Sequence, residues 1–277
     1  MVTKLGIIAG SGGLPRELIQ AAEKKGWGCF VVGFHGQTDP ETLSAAPSMQ
    51  TNLGAAGKII ERLRAEGVSD LVMAGAIKRP SFLQIKPDWV TAKFIAQAGL
   101  RALGDDGMLR AIIRAIEESG FRCLSVPEIL GDLVIGAGLM GQHAPDETAQ
   151  ADIERGLQVA RVLGAADVGQ AVVVQQGLVL GVEAIEGTDL LLARCKDLAR
   201  PVAGGVLVKI AKPKQERRAD LPAIGPRTVE NSAAAGLRGI AVEAGSALLI
   251  DRNKTVSLAD RKGLFLLGIA ADAASRD

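Results

Sequence analysis

The side chains of this 277-residue chain that best combine charge with fixed spacing lie in its second half. Between Lys209 and Pro222 the chain reads KIAKPKQERRADLP. Lys209, Lys212, Lys214, Arg217 and Arg218 crowd together, and Asp220 follows them directly, ahead of Leu221-Pro222. Cations at this density can offset the charge of a pyrophosphate, because phosphate oxygens accept from point charges and from forked donors. A carboxylate fixed beside them can hold Mg²⁺ or position water. The alternative reading of such a run is a solvated surface loop.

A second acidic group follows an apolar strand: Glu183, Glu186 and Asp189 in GVEAIEGTD, 181–189. Alternation along the strand sets Glu183 opposite Val182 and toward a site. Gly187-Thr188-Asp189 has the form of a turn followed by a helix cap, so Asp189 reads as a cap or as a catalytic group. Gly104-Asp105-Asp106-Gly107 adds an acidic pair whose default role is helix capping.

The third feature is the turn Gly10-Ser11-Gly12-Gly13-Leu14-Pro15. Backbone amides at the start of a helix can hold an anion, and glycine lets it approach. A dinucleotide fingerprint is incomplete, since Pro15 takes the place of the third glycine. The second strand, ending Val32-Gly33-Phe34-His35, also offers no acid to a ribose. The alternative is a tight turn that packs helix on sheet.

These groups need elements to hold them. Strand signals at Lys4–Ala9, Cys29–Phe34 and Asp70–Ala74 alternate with helical segments at Leu14–Lys25 and Ala56–Glu66. Helices are predicted over Thr91–Leu103 and from Asp106 to Gly120, then a strand over Phe121–Val126. That order predicts a parallel sheet covered by helices. The glycine-rich stretch Leu130–Asp146 marks a boundary, giving domains 1–134 and 135–277. The second half predicts a helix at Ala149–Leu163 and a hairpin, Ala171–Gln175 with Leu178–Ala184, turning at Gln176-Gly177. Further strands are expected at Val206–Ala211, Gly239–Glu243, Leu248–Asp251 and Leu264–Ile269, with a helix near Thr228–Ala235. The fold class is α/β: a Rossmann-like parallel-sheet domain, then a mixed α/β domain.

Composition excludes several functions. A net charge of +1 and the absence of Tyr argue against nucleic-acid binding. Cys29, Cys123 and Cys195 are odd in number and far apart, which suggests a reducing compartment. His35 and His143 have no partner at zinc-ligand spacing. The apolar run near the N-terminus is too short for a signal peptide, and no stretch suits a spanning helix.

The segments GIIAGSGGLP (6–15), AGAIKRP (74–80), GDDGML (104–109), DVGQAVVVQQGLVLGVEAIEGTD (167–189) and KPKQERRADLPAIG (212–225) occur in this order. Together they resemble the UDP-2,3-diacylglucosamine pyrophosphatase family of lipid A biosynthesis, which is unrelated to the calcineurin-type phosphoesterases of the same step. The resemblance spans nearly the whole chain, with Arg218 a departure where relatives often carry a small or β-branched residue. It implies hydrolysis of UDP-2,3-diacylglucosamine to UMP and 2,3-diacylglucosamine 1-phosphate, Mg²⁺, two domains enclosing the lipid, and catalysis by Asp220. It places substrate contacts at Gly10, Ser11, Gly12, Gly13, Leu14, Gly75, Lys78, Thr148, Gln170, Thr188, Lys209, Lys212 and Lys214, with Asp220, Asp189 and Glu183 as metal ligands. The expected partners are the lipid nucleotide, the inner-membrane surface in passing, and a second copy as a homodimer; the expected place is the cytoplasm. A nucleotide-dependent oxidoreductase and a non-catalytic nucleotide-sugar or lipid carrier are the rival readings.

Overall fold

The computed structural model describes residues 3–77, 87–98, 105–201, 204–213 and 215–270. The chain forms two compact units. The first comprises Met1–Gly131 with Glu216–Asp220, the second Asp132–Gln215 with Leu221–Asp277.

The first unit runs β1 (Lys4–Ala9), α1 (Leu14–Lys24), β2 (Gly28–Phe34), α2 (Pro40–Ser44), β3 (Ser48–Thr51), α3 (Ala56–Ala65), β4 (Asp70–Ala74), α4 (Trp89–Ala98), α5 (Asp105–Glu118), β5 (Arg122–Leu124) and α6 (Val126–Ile129). Its five strands pair in parallel in the order β3-β2-β1-β4-β5. The order reverses between β1 and β4, the topological switch point of a doubly wound sheet. β1 is central and buries Leu5, Ile7 and Ala9 completely. Phe30, Val32, Phe34, Leu63, Val68, Leu71 and Phe121 fill one core, with Ile59 and Ile60 of α3 packed against it. The predicted helix Thr91–Leu103 starts earlier, at Trp89, and its end at 99–103 lies outside the described residues.

The second unit runs β6 (Gly138–Leu139), α7 (Glu147–Ala165), β7 (Ala171–Gln175), β8 (Leu178–Val182), α8 (Gly187–Cys195), β9 (Val206–Lys209), β10 (Ala223–Ile224), α9 (Pro226–Ala234), β11 (Gly239–Glu243), β12 (Leu248–Leu249), α10 (Arg252–Lys262) and β13 (Phe265–Ile269). Six strands order as β6-β13-β11-β9-β7-β8. The centre, β13-β11-β9, is parallel and the flanking pairs are antiparallel. This is the mixed α/β architecture predicted for the second half.

Period-two alternation divides its core between two faces. Val206 and Val208 of β9 pack with Ala149 and Ile153 of α7. Leu207 packs with Leu191 and Leu192 of α8 and Val229 of α9. Lys209 follows Leu207 onto that second face. The hairpin turns where predicted: Gln176 and Gly177 both have positive φ, 52° and 74°, as a tight primed turn requires. Both their N–H groups donate to the carboxylate of Asp152, which is 1% exposed.

Candidate active site

In the second unit the last residue of β9 meets the first turn of α8. Lys209 is buried, and its Nζ donates to Thr188 Oγ1 at 3.0 Å and to the Ala223 carbonyl at 3.2 Å. Thr188 in turn donates to Glu183 Oε2 at 3.1 Å. Glu183, also buried, sits just past β8, where its N–H bonds the Ala171 carbonyl at 2.8 Å. Gly169 permits this crossing, since a Cβ there would lie 2.0 Å from the Glu183 carbonyl oxygen. Lys209, Thr188 and Glu183 thus form one relay. It joins a buried cation to a buried carboxylate through a hydroxyl, so neither charge is left unpaired in the interior. One of the three ammonium donors is used in it and a second on the Ala223 carbonyl.

Gln170 and Lys212 lie along the same strand end. Gln215 Nε2 donates to Gln170 Oε1 at 3.2 Å, while its Oε1 accepts the Lys212 N–H at 2.9 Å. Lys212 Nζ pairs with Asp167 at 2.6 Å. Asp189 is not a cap. It lies within the first turn of α8, whose N-cap is Glu186, and accepts from Asn231 Nδ2 at 2.8 Å and pairs with Arg227 at 2.7 Å. Asn231 and Arg227 were not legible from spacing, because α9 brings them from a distant part of the chain.

Thr148 is placed apart from these residues. It is exposed in the first turn of α7. α7 runs alongside β9, from Ala149 packed with Val206 to Gly164 packed on Lys212 and Pro213. At 1.5 Å rise per residue, Thr148 lies about 24 Å along the helix from Gly164, at the opposite end of the sheet from Lys209.

In the first unit the glycine turn lies at the switch point, and its own chain occupies much of it. Gly10 N–H donates to the Ala74 carbonyl at 2.8 Å, Ser11 N–H to Ala76 at 2.9 Å, and Ala76 N–H back to Ser11 at 3.0 Å. Gly10 and Gly75 allow this contact: a Cβ on Gly10 would lie 2.5 Å from the Ala76 oxygen, and one on Gly75 2.7 Å from the Ser11 oxygen. Gly12 N–H donates to Asp39 Oδ2 at 2.7 Å. Gly13 and Leu14 remain to present N–H groups at the start of α1. The backbone ladder ties the turn to the chain after β4, where doubly wound sheets hold dinucleotides, and Asp39 adds a carboxylate beside the Gly12 amide. Asp39 went unnoticed in the sequence, although Asp39-Pro40-Glu41 is a helix-start pattern.

Asp220 is half-buried, and its segment, Glu216–Asp220, belongs to the first unit. Ala219 N–H and Asp220 N–H both donate to the Glu216 carbonyl, at 3.1 and 2.9 Å. Arg218 binds Glu216 and also Glu117 of α5. Its hydrogen bonds are the main cause holding the Glu216 carboxyl below its ordinary pKa. Among the described residues the run of cations is therefore no open basic patch. Lys209, Lys212 and Arg218 are each engaged by the protein, Arg217 is exposed, and Lys78 and Lys214 lie outside the described residues.

Among the described residues no three His, Cys, Asp or Glu side chains converge as a metal cage. Mg²⁺ does not need one: it keeps several waters and is held by one or two carboxylates together with substrate phosphates. The half-buried carboxylate of Asp220 fits that donor set. The three cysteines are free and buried, and burial pushes the thiols of Cys29 and Cys123 up to about 11, so neither is a poised nucleophile. A groove of about 580 Å³ beside α10, lined in part by Gln142, Arg252, Asn253 and Ser257, contains none of the predicted site residues. No helix among the described residues is long and apolar enough to cross a membrane.

Comparison with known proteins covers the chain nearly end to end. The family model described as the LpxI N-terminal domain matches residues 4–133, and that of the LpxI C-terminal domain matches residues 136–267. The UDP-2,3-diacylglucosamine pyrophosphatase LpxI of Caulobacter vibrioides is 41% identical over 273 residues, covering 96% of this chain and 97% of its own. Likeness to solved structures is low. A UDP-glucose 4-epimerase of Thermotoga maritima has a TM-score of 0.36 at 8% identity, over 97% of this chain and 85% of its own. The WbmG enzyme of Bordetella bronchiseptica has a TM-score of 0.36 at 11% identity, over 99% and 84%.

Proposed function

The chain belongs to the LpxI family, and from that premise we propose that it hydrolyses the pyrophosphate of UDP-2,3-diacylglucosamine, releasing UMP and 2,3-diacylglucosamine 1-phosphate for lipid A synthesis. The observation that carries this reading is the identity of 41% over nearly the full length of both chains. The oxygen of water joins one phosphorus, and the bridging oxygen leaves with the other phosphate.

Each group has a task in this reaction. The Asp220 carboxylate orients the water or anchors the cation. Lys209 offers its remaining N–H to a phosphate oxygen, and the Glu183–Thr188 relay fixes the direction in which the ammonium points. Gln170, Lys212 and the turn amides of Gly13 and Leu14 are further contacts. Asp220 would hold Mg²⁺, which would offset charge on the phosphoryl oxygens. The acyl chains bring the substrate to the protein from a membrane surface, with no spanning helix among the described residues. Incubation of the protein with UDP-2,3-diacylglucosamine and Mg²⁺ should release UMP. Binding without release of UMP would make the protein a carrier instead.

A further inference from the structure

The five residues Glu216–Asp220 belong to the first unit, although the chain on both sides of them belongs to the second. The two backbone bonds to the Glu216 carbonyl close the segment into a turn. They set its shape and leave its place to side chains. Arg218 supplies one hold. Its Nε and Nη2 fork onto the two carboxylate oxygens of Glu216 at 2.9 and 3.1 Å, while Nη1 reaches Glu117 Oε1 on α5 at 2.6 Å. A planar guanidinium is suited to both tasks at once, since its donors are fixed in one fork. The Glu216 carboxylate is 13% exposed, against 38% for Arg218 and 41% for Glu117. The fork is thus the sheltered half of the latch and the Glu117 pair its outer half.

We propose that Arg218 is a positioning residue: by clasping Glu216 and Glu117 it latches the turn to α5 and fixes the Asp220 carboxylate for hydrolysis. This rests on the reading of Asp220 as the catalytic group. Both edges of the Arg218 guanidinium are taken up by Glu216 and Glu117, so its loss lowers the fraction of molecules with Asp220 in place and leaves substrate affinity alone.

The test is steady-state kinetics of UMP release at saturating Mg²⁺, with melting temperature as a control. Arg218→Gln breaks both halves of the latch, and kcat falls about 10-fold, the scale of a lost charge-assisted hydrogen bond. Glu117→Gln breaks the outer half alone, and kcat falls about 2- to 5-fold, the scale of an exposed pair. KM stays within about twofold in both, as loss of a purely positional effect requires. The double variant equals Arg218→Gln, because the Glu117 pair no longer exists to be lost. Arg218→Lys recovers part of the rate through Glu117. Arg62→Gln, which removes the 2.7 Å pair with Glu66 elsewhere in the same unit, leaves kcat unchanged. A parental kcat in Arg218→Gln, a rise in KM in place of a fall in kcat, or effects that multiply in the double variant each overturn the latch. Asp220→Ala, run in parallel, separates the two failures. If it is inactive while Arg218→Gln is fully active, only the latch is wrong; if it is active, the reading beneath the latch falls as well.

Discussion

The carboxylate of Asp39 accepts the N–H of Gly12 at 2.7 Å, and so places a negative charge on the turn expected to meet a phosphate. If a pyrophosphate contacts this turn, it competes with Asp39 for the same amide. Asp39→Asn keeps an acceptor and removes the charge, so KM should fall severalfold while melting temperature changes little. An unchanged KM would return the turn to a packing role. This variant is a better probe than a bulky replacement of Gly12, whose φ of +100° any side chain would strain by about 1–2 kcal/mol, whatever the ligand.

Thr188 is the joint between a buried cation and a buried carboxylate. Thr188→Val keeps the shape and removes the hydroxyl, leaving Lys209 and Glu183 without their bridge. Stability should fall by about 1–3 kcal/mol, the cost of unsatisfied buried polar groups. UMP release should fall by about 10-fold or more as Lys209 loses its direction. Thr188→Ser, which retains the hydroxyl, should recover most of both. Equal losses in the Val and Ser variants would show that the methyl group, and not the bridge, matters.

Acid sensitivity has one source at the end of the first unit. The carboxylate of Glu128 accepts the Ser125 N–H at 2.6 Å and the Ser125 hydroxyl at 2.7 Å, and these bonds hold its pKa below the ordinary glutamate value. A carboxyl with a lowered folded pKa stabilises the fold above its unfolded pKa and loses that contribution as pH falls through the folded one. Glu128→Gln should therefore be less stable than the parent at pH 7, by about 0.5–1 kcal/mol as for a lost cap. The two unfolding curves should converge as the solution is acidified. A gap that persists in acid would assign the loss to packing.

Metal dependence follows from charge. Lys212 is paired with Asp167 and Arg218 with Glu216 and Glu117, so part of their charge is already offset within the protein and a divalent cation is needed to balance a pyrophosphate during attack. Treatment with a chelator should abolish UMP release, and added Mg²⁺ should restore it. Full turnover after exhaustive chelation would remove the cation from the reaction.

What could be read from the sequence follows the strength of local signals. β1, β4, β7 and β11 have the predicted bounds, because each is a continuous apolar run closed by turn residues. β3, with the sequence SMQT, has no such run; it is an edge strand fixed by pairing with β2. α10 is mostly polar and buries only Thr255, Leu258 and Ala259, so its helical period was too faint to see. In the site, Lys209, Thr188 and Glu183 were each singled out in the sequence, but not the bonds that join them. The partners of the basic run were not legible either, because Asp167, Glu117 and the Ala223 carbonyl arrive by tertiary folding. Residue spacing carries no trace of such partners.

Asp220 is where the chemistry is most exposed to test. Its carboxylate is half-buried at the end of a turn closed by two bonds to Glu216, and the adjacent Leu221 returns the chain to the second unit. The turn fixes the backbone that carries this carboxylate, as a group that must orient water or a cation requires. Asp220→Ala removes the carboxylate and leaves the latch of Arg218 intact, so melting temperature should stay close to the parent's. Turnover should fall by about 100-fold or more, the scale of a lost general base. Affinity should change little, because most of a diacyl substrate's contact area is apolar and would lie away from this residue. The purified variant should therefore retain uncleaved UDP-2,3-diacylglucosamine, detectable by mass spectrometry of an organic extract. Asp220→Asn separates charge from shape, and should be as inactive as the alanine variant if the negative oxygen is what matters. A stable Asp220→Ala protein with near-parental UMP release would move the catalytic group elsewhere, and Glu183 would be the next carboxylate to replace.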